Sequence, residues 1–268
     1  MTPTPTPTAT LPATLTAALA LLLLPALPAA AQQVDLELVL LADATGSITA
    51  QEIAFQRQGY ASAITHPEVL AAIAGTAYGS IALTYVEWGQ ADSQHVVVPW
   101  TVIAGPEEAA AFAEGLVTGP RAASGRNAIG AALLFGKELI EGNEIEGWRR
   151  IIDFSADSAN NHNGPDIAGA RAEVLAAGIT INGLAVACRG CAQSWSTPEG
   201  LQQAFAERII GGPGAFVVTA ETEGTFAEAV RRKLILEISG LHGHPVLAAG
   251  MAAPAVPGAP LAAPRPDN

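Results

Sequence analysis

The chain has 268 residues, 50% of them hydrophobic and only 14% charged, with a formal net charge of -12. That suffices for one domain with a full core and is short for two. The acidic balance makes nucleic acid and anionic membrane surfaces poor partners, because both need a basic face, and leaves cations and basic or polar protein surfaces.

Residues 1–31 carry no charged side chain, hold the apolar run LTAALALLLLPAL, and close on Ala29-Ala30-Ala31. This is the pattern of an export signal cut after Ala31, although the usual Lys or Arg of the leader is replaced by Thr-Pro repeats. Pro12, Pro25 and Pro28 oppose the alternative of a stable membrane span. The expected product is exported, periplasmic or secreted, and free of the membrane after cleavage. Residues 241–268 are rich in Ala, Pro and Gly without an apolar period, and read as a disordered tail. His242 and His244 in it lack a third ligand for a metal.

Residues 34–240 alternate apolar runs with amphipathic ones. VDLELVLLAD (34–43) is a buried strand, and 49–64 places Ile53, Gln56-Arg57, Tyr60 and Ile64 at helical spacing, with Thr49 and Glu52 in capping-box form. GSIALTYVEWG (79–89) and HVVVPWTVI (95–103) read as a hairpin. A helix follows over 105–117, with Pro106 and two glutamates at its start, and another over 127–142. RRIIDFSAD (149–157) is a strand ending in aspartate. Then come a helix over 165–178 stopped by Gly178, a strand over 179–186, a helix over 198–210, a strand over 215–220 and a closing helix over 222–239. The order predicts an α/β, doubly wound, mainly parallel central sheet with helices on both faces. Ligands of such sheets sit at the carboxyl ends of strands, where strand order reverses.

Two apolar strands end in aspartate, Asp43 and Asp157. Around them the carboxyl-end loops offer Thr45 and Ser47, then Ser124 and Asn127, then Ser158, Asn160 and Asn161. Oxygen donors of this kind suit Mg²⁺, Mn²⁺ or Ca²⁺ and not zinc or copper. Capping the next helix would occupy one such oxygen; three in alternation, with a second strand-end carboxylate, exceed that need. Asp153 interrupts its strand and is expected to pair with an arginine or a backbone amide. Glu87 and Trp88 read as a partly buried polar pair near the sheet end, without an assigned role.

The spacing Asp43-x-Thr45-x-Ser47 resembles the D-x-S-x-S signature of von Willebrand factor A-type domains, which carry a metal-ion-dependent adhesion site. GRNAIGAALLF resembles that family's second loop and IIDFSAD its third. TYVEW, GITINGLAV, IIGGPGAFV and AVRRKLILEIS look like a bacterial exported subgroup of uncharacterised function. The resemblance covers residues 34–240 and implies a Rossmann-like fold. It further implies a metal held by Asp43, Thr45, Ser47, Asn127 and Asp157, with a protein partner completing the coordination through an acidic side chain. Thr45 stands where the family usually has serine, and Asn127 where it usually has threonine.

Two other functions compete. An aspartate-nucleophile, Mg²⁺-dependent phosphohydrolase also places an aspartate at the first strand's end, but needs a second carboxylate two residues on, where Thr45 stands. A metal-free interaction scaffold would use the same rim by shape. No P-loop or Ser-His-Asp set is present, so the expected protein is not an enzyme. Cys188 and Cys191 have no second Cys pair for zinc, and in an exported chain they read as a short-loop disulfide.

Overall fold

The computed structural model describes residue 1 and residues 31–186, 197–220 and 223–240. The leader, Cys188 and Cys191, and the tail with His242 and His244 lie outside the described residues. In chain order the elements are β1 (Gln32–Asp43), α1 (Ala50–Ile64), α2 (Pro67–Ala74), β2 (Ile81–Trp88), β3 (Gln94–Ile103), α3 (Pro106–Thr118) and α4 (Ile129–Glu141). They continue with β4 (Ile145–Ala156), α5 (Ile167–Ala176), β5 (Thr180–Val186), α6 (Pro198–Arg208), β6 (Val217–Ala220) and α7 (Glu223–Ser239).

The six strands form one sheet in the order β3-β2-β1-β4-β5-β6. Every neighbouring pair is parallel except the β2–β3 hairpin. Side chains alternate faces along a strand, and β1 shows it. Leu36, Leu38 and Leu40 join the apolar cluster under α1, α2, α3 and α7. Val39 and Leu41 join the one under α4, α5 and α6. Strands buried on both faces need near-continuous apolar runs, which is what VDLELVLLAD supplies.

The helix boundaries follow local chemistry. Thr49 and Glu52 make the reciprocal capping box at the start of α1. Gly178 follows the end of α5 at φ 73°, a left-handed position that suits glycine. Helix α2 has no counterpart in the sequence reading. Its signals are short: Pro67 in the first turn, Glu68 beside it, and only Val69 and Ile73 as buried anchors. Among the described residues no helix is long and apolar enough to cross a membrane.

The expectations for three polar residues need correction. Asp153 pairs with neither an arginine nor an amide but with Lys233 of α7, at 2.8 Å. Glu87 and Trp88 are fully rather than partly buried, at 1% and 0% exposure. Glu87 accepts from Arg57 Nε at 2.7 Å, and Trp88 Nε1 donates to the Ser155 carbonyl at 3.2 Å. The reason is common to all three. β2 and β4 are interior strands, so a polar side chain on them finds its partner on a covering helix or on the backbone of a nearby strand.

Candidate metal centre

β1 runs to one side through β2 and β3, and the chain then returns to lay β4 on the other side of β1. The strand order therefore reverses between β1 and β4. Their register, Leu40 opposite Asp153 and Leu41 opposite Phe154, brings both carboxyl ends to that point. Asp43 closes β1, and Asp157 follows the last residue of β4.

The first loop is shaped by Asp43 itself. Its Oδ1 accepts from the Thr45 amide at 2.9 Å, a local turn of the kind aspartate favours. The turn brings the Thr45 and Ser47 hydroxyls to 3.1 Å from each other. Thr45 is buried at 1% exposure and Ser47 is exposed, so the pair spans the depth of the rim.

Backbone bonds lock the loops together. Gly46 N donates to Gly125 O at 2.7 Å, joining the first loop to the second. Gln90 N donates to Ser124 O at 2.9 Å, and Ala128 N to Gly89 O at 3.1 Å. A Cβ on Gly89 would fall 2.1 Å from the Ser124 carbonyl oxygen, so this approach requires glycine. His162 N donates to Asn127 O at 2.7 Å, joining the second loop to the third. Asn127 is thereby fixed at the rim, 8% exposed. Arg121 Nη2 donates to the carbonyls of Ala44 and Thr45 at 3.0 and 3.1 Å. This arginine braces the loop backbone and leaves the carboxylates alone.

The electrostatics are unusual for so buried a place. Asp43 Oδ2 and both carboxylate oxygens of Asp157 are buried without a hydrogen-bond partner. Burial, and then the charge of Asp157, push the Asp43 carboxyl up to about 7. Burial, and then the charge of Glu52, raise Asp157. A buried carboxylate without a partner is costly, and here three such oxygens belong to the two residues at the same reversal point. The two carboxylates and two hydroxyls gathered here are all oxygen donors and fit a hard divalent cation, with Asn127 tied to the same rim by its backbone. Among the described residues no group of three His, Cys, Asp or Glu side chains could hold a metal, so any such ion here must draw on the neutral oxygens.

The structure thus gathers Asp43, Thr45 and Ser47 on one loop, sets Asp157 against Asp43, and ties Asn127 to the rim through its carbonyl. The predicted Cys188–Cys191 pair lies outside the described residues. Three participants escaped the sequence reading: Glu52, Arg121 and Gly89. In the sequence Glu52 carries only the signal of a helix cap. Neither Arg121 nor Gly89 has a local signal, since each acts on a loop distant in sequence.

The family model described as "Protein of unknown function (DUF1194)" matches residues 33–242. No curated protein matches the chain. Among solved structures, the pilus adhesin SpaC from Lactobacillus rhamnosus GG aligns with a TM-score of 0.55 at 11% identity, over 78% of this chain and 32% of SpaC. Proximal thread matrix protein 1 from the mussel byssus, in a form with a zinc-occupied MIDAS motif, aligns with a TM-score of 0.54 at 15% identity. That match covers 79% of this chain and 50% of the mussel protein. The chain therefore spans about a third to a half of the length of these structures. The likeness is one of fold, and the fold is that of von Willebrand factor A-type domains.

Proposed function

Since the chain belongs to the DUF1194 family, matched over residues 33–242, and has a von Willebrand factor A-type fold, we propose that it is an exported, adhesion-type protein-binding module. Its metal-ion-dependent adhesion site would hold Mg²⁺, Mn²⁺ or Ca²⁺ through Asp43, Thr45, Ser47, Asn127 and Asp157. The observation that carries this is the set of three buried, partnerless carboxylate oxygens on Asp43 and Asp157 at the strand-order reversal. A bound cation would supply the missing positive charge and a Lewis-acidic position for a partner's carboxylate. The chain's own part is to fix the donors: the Asp43–Thr45 turn sets the hydroxyls, Arg121 braces their backbone, and the loop-to-loop bonds hold Asn127.

The similar structures support the reading at a coarser level. One is a pilus adhesin and another carries zinc in its MIDAS motif. The all-oxygen donor set here favours a harder ion than zinc. Two carboxylates leave a divalent ion little surplus positive charge, so the partner's carboxylate gains mainly by filling an open position in a water-poor contact. Export is carried by residues 1–31, as the leader pattern indicates. A protein surface is the partner class, and catalysis is disfavoured because Thr45 cannot serve as a general acid.

Thermal unfolding with and without Mg²⁺ or Mn²⁺ tests the proposal. An ion at a hundredfold excess over its dissociation constant adds about 2.7 kcal/mol to a native state that binds it. The melting temperature should rise in the natural chain and stay fixed in Asp43→Ala. No rise with either ion, or an equal rise in the variant, would remove the metal from the account. Hydrolysis of a phosphomonoester by the purified protein would favour the phosphohydrolase instead.

A further inference from the structure

The end of the sheet opposite the candidate metal centre carries two large exposed side chains. Tyr78, in the loop after α2, is 45% exposed, and Trp148, near the start of β4, is 66% exposed. They pack edge to face on each other, with ring centroids 5.0 Å apart and planes at 65°. Asp35 fixes the Tyr78 backbone by accepting from the Ala77 and Tyr78 amides at 2.9 and 2.8 Å. The pair is therefore a rigid, two-walled aromatic surface held outward into solvent, with no part in the core.

The sequence holds a matching ligand. Pro254, Pro257 and Pro260 recur every third residue in PAVPGAP. Three residues make one turn of a polyproline II helix, so these prolines would share one edge of it. Such helices dock into grooves lined by aromatic side chains. Arg265, the one Lys or Arg among residues 241–268, follows a few residues later. Glu144 and Glu146 are exposed at the start of β4 and offer it opposite charge.

The last described residues end beside the strand that carries Trp148. α7 ends at Ser239, and Arg149, the residue after Trp148, donates to the carbonyls of Glu237 and Ile238. A Cβ on Gly240 would lie 3.4 Å from Arg149 Nη1. Helix α2, whose following loop delivers Tyr78, packs beside α7. The last described residue, Gly240, thus lies beside the strand that carries Trp148, on the face opposite its side chain. From Gly240 to Pro254 is 14 residues, which span about 20 Å as a flexible coil and about 43 Å as extended polyproline. Gly240 lies against the Arg149 side chain, one residue from Trp148, so the strand that carries Trp148 is within either length. A tether this short gives an effective concentration of order millimolar, so even a weak contact would be populated.

We infer that the Tyr78–Trp148 pair is the docking surface for the chain's own proline-repeat segment, residues 254–260. The contact straps the tail across the pole of the domain that faces away from the metal centre.

Full-length protein carrying 5-fluorotryptophan tests this by fluorine NMR, with the Trp148 resonance assigned by its loss in Trp148→Phe. The resonance should shift between the natural chain and the triple variant Pro254→Ala/Pro257→Ala/Pro260→Ala. The natural position should hold through a dilution series. A coincident resonance in the two chains would overturn the inference and leave the surface to a separate partner. A shift that vanishes on dilution would also overturn it, placing a second copy's tail on the pair. As an independent measurement, proteolytic cleavage of the tail should be several-fold faster in Trp148→Ser than in the natural chain. An unchanged rate would contradict the strap.

Discussion

Beneath the sheet, Lys233 Nζ lies between two carboxylates. It sits 2.8 Å from Asp153 Oδ2 and pairs also with Glu237 Oε1. All three groups are at or below 1% exposure. Asn182 Nδ2 donates to Glu237 Oε1 at 2.9 Å, and the ammonium lies 5.4 Å from the centre of the Phe216 ring. Tyr60 of α1 and Ser155 of β4 border the cluster, and Asp153 Oδ1 and Glu237 Oε2 are buried without a hydrogen-bond partner. Two buried negative charges thus share one positive charge. Burial raises the Asp153 carboxyl, Lys233 pulls it back and Glu237 raises it again, leaving it at about 7 against an ordinary 3.8. A folded-state value above the unfolded one means that the native protein holds this proton more tightly. The resulting stability is complete below pH 3.8 and is lost as pH rises through 7. At 1.36 kcal/mol per pH unit the difference amounts to about 4 kcal/mol. Asp153→Asn keeps an oxygen toward Lys233 and removes the titration. Urea unfolding at pH 5 and pH 8 should therefore show the natural chain losing a few kcal/mol more over that interval than the variant does. Equal losses in the two chains would refute the assignment of a shared proton to this cluster.

Two other perturbations have defined outcomes. Gly89→Ala places a methyl 2.1 Å from the Ser124 carbonyl oxygen and must push the second loop away from the end of β2. The expected result is about 1–3 kcal/mol of overpacking cost in urea unfolding, together with weakened Mn²⁺ uptake. Arg57→Ala leaves the Glu87 carboxylate buried without its partner at 2.7 Å and also removes the bonds to the Gly119 and Pro120 carbonyls. Breaking one side of a buried pair costs about 3–5 kcal/mol. Arg57→Met/Glu87→Met should recover much of that loss, and failure to recover any would show the carbonyl bonds to dominate.

The architecture was readable because its signals are local. Each strand buried on two faces reads as a near-continuous apolar run, and Thr49 with Glu52 announces a helix start within four residues. The Asp43-Thr45-Ser47 half of the site was legible for the same reason, since its geometry is a single turn. Asp157 became its partner only through strand order, to which the repeated strand–helix pattern pointed. What stayed hidden depends on pairing across the fold. Nothing in the sequence around Lys233 tells that it is fully buried, and nothing near Arg57 names a glutamate 30 residues away. Glu52 looked complete as a cap, bonded to the Thr49 amide at 2.7 Å. Its charge on Asp157 emerges only when folding brings the start of α1 within electrostatic reach of that residue.

The proposed site depends on a cation held by Asp43 and Asp157. Isothermal titration of the purified chain with Mn²⁺ or Mg²⁺ measures this directly, with Asp157→Asn as the comparison. Uptake of a single ion per chain should be saturable, and at least tenfold weaker in the variant. Absence of saturable uptake by the natural chain, or equal affinity in Asp157→Asn, would contradict it.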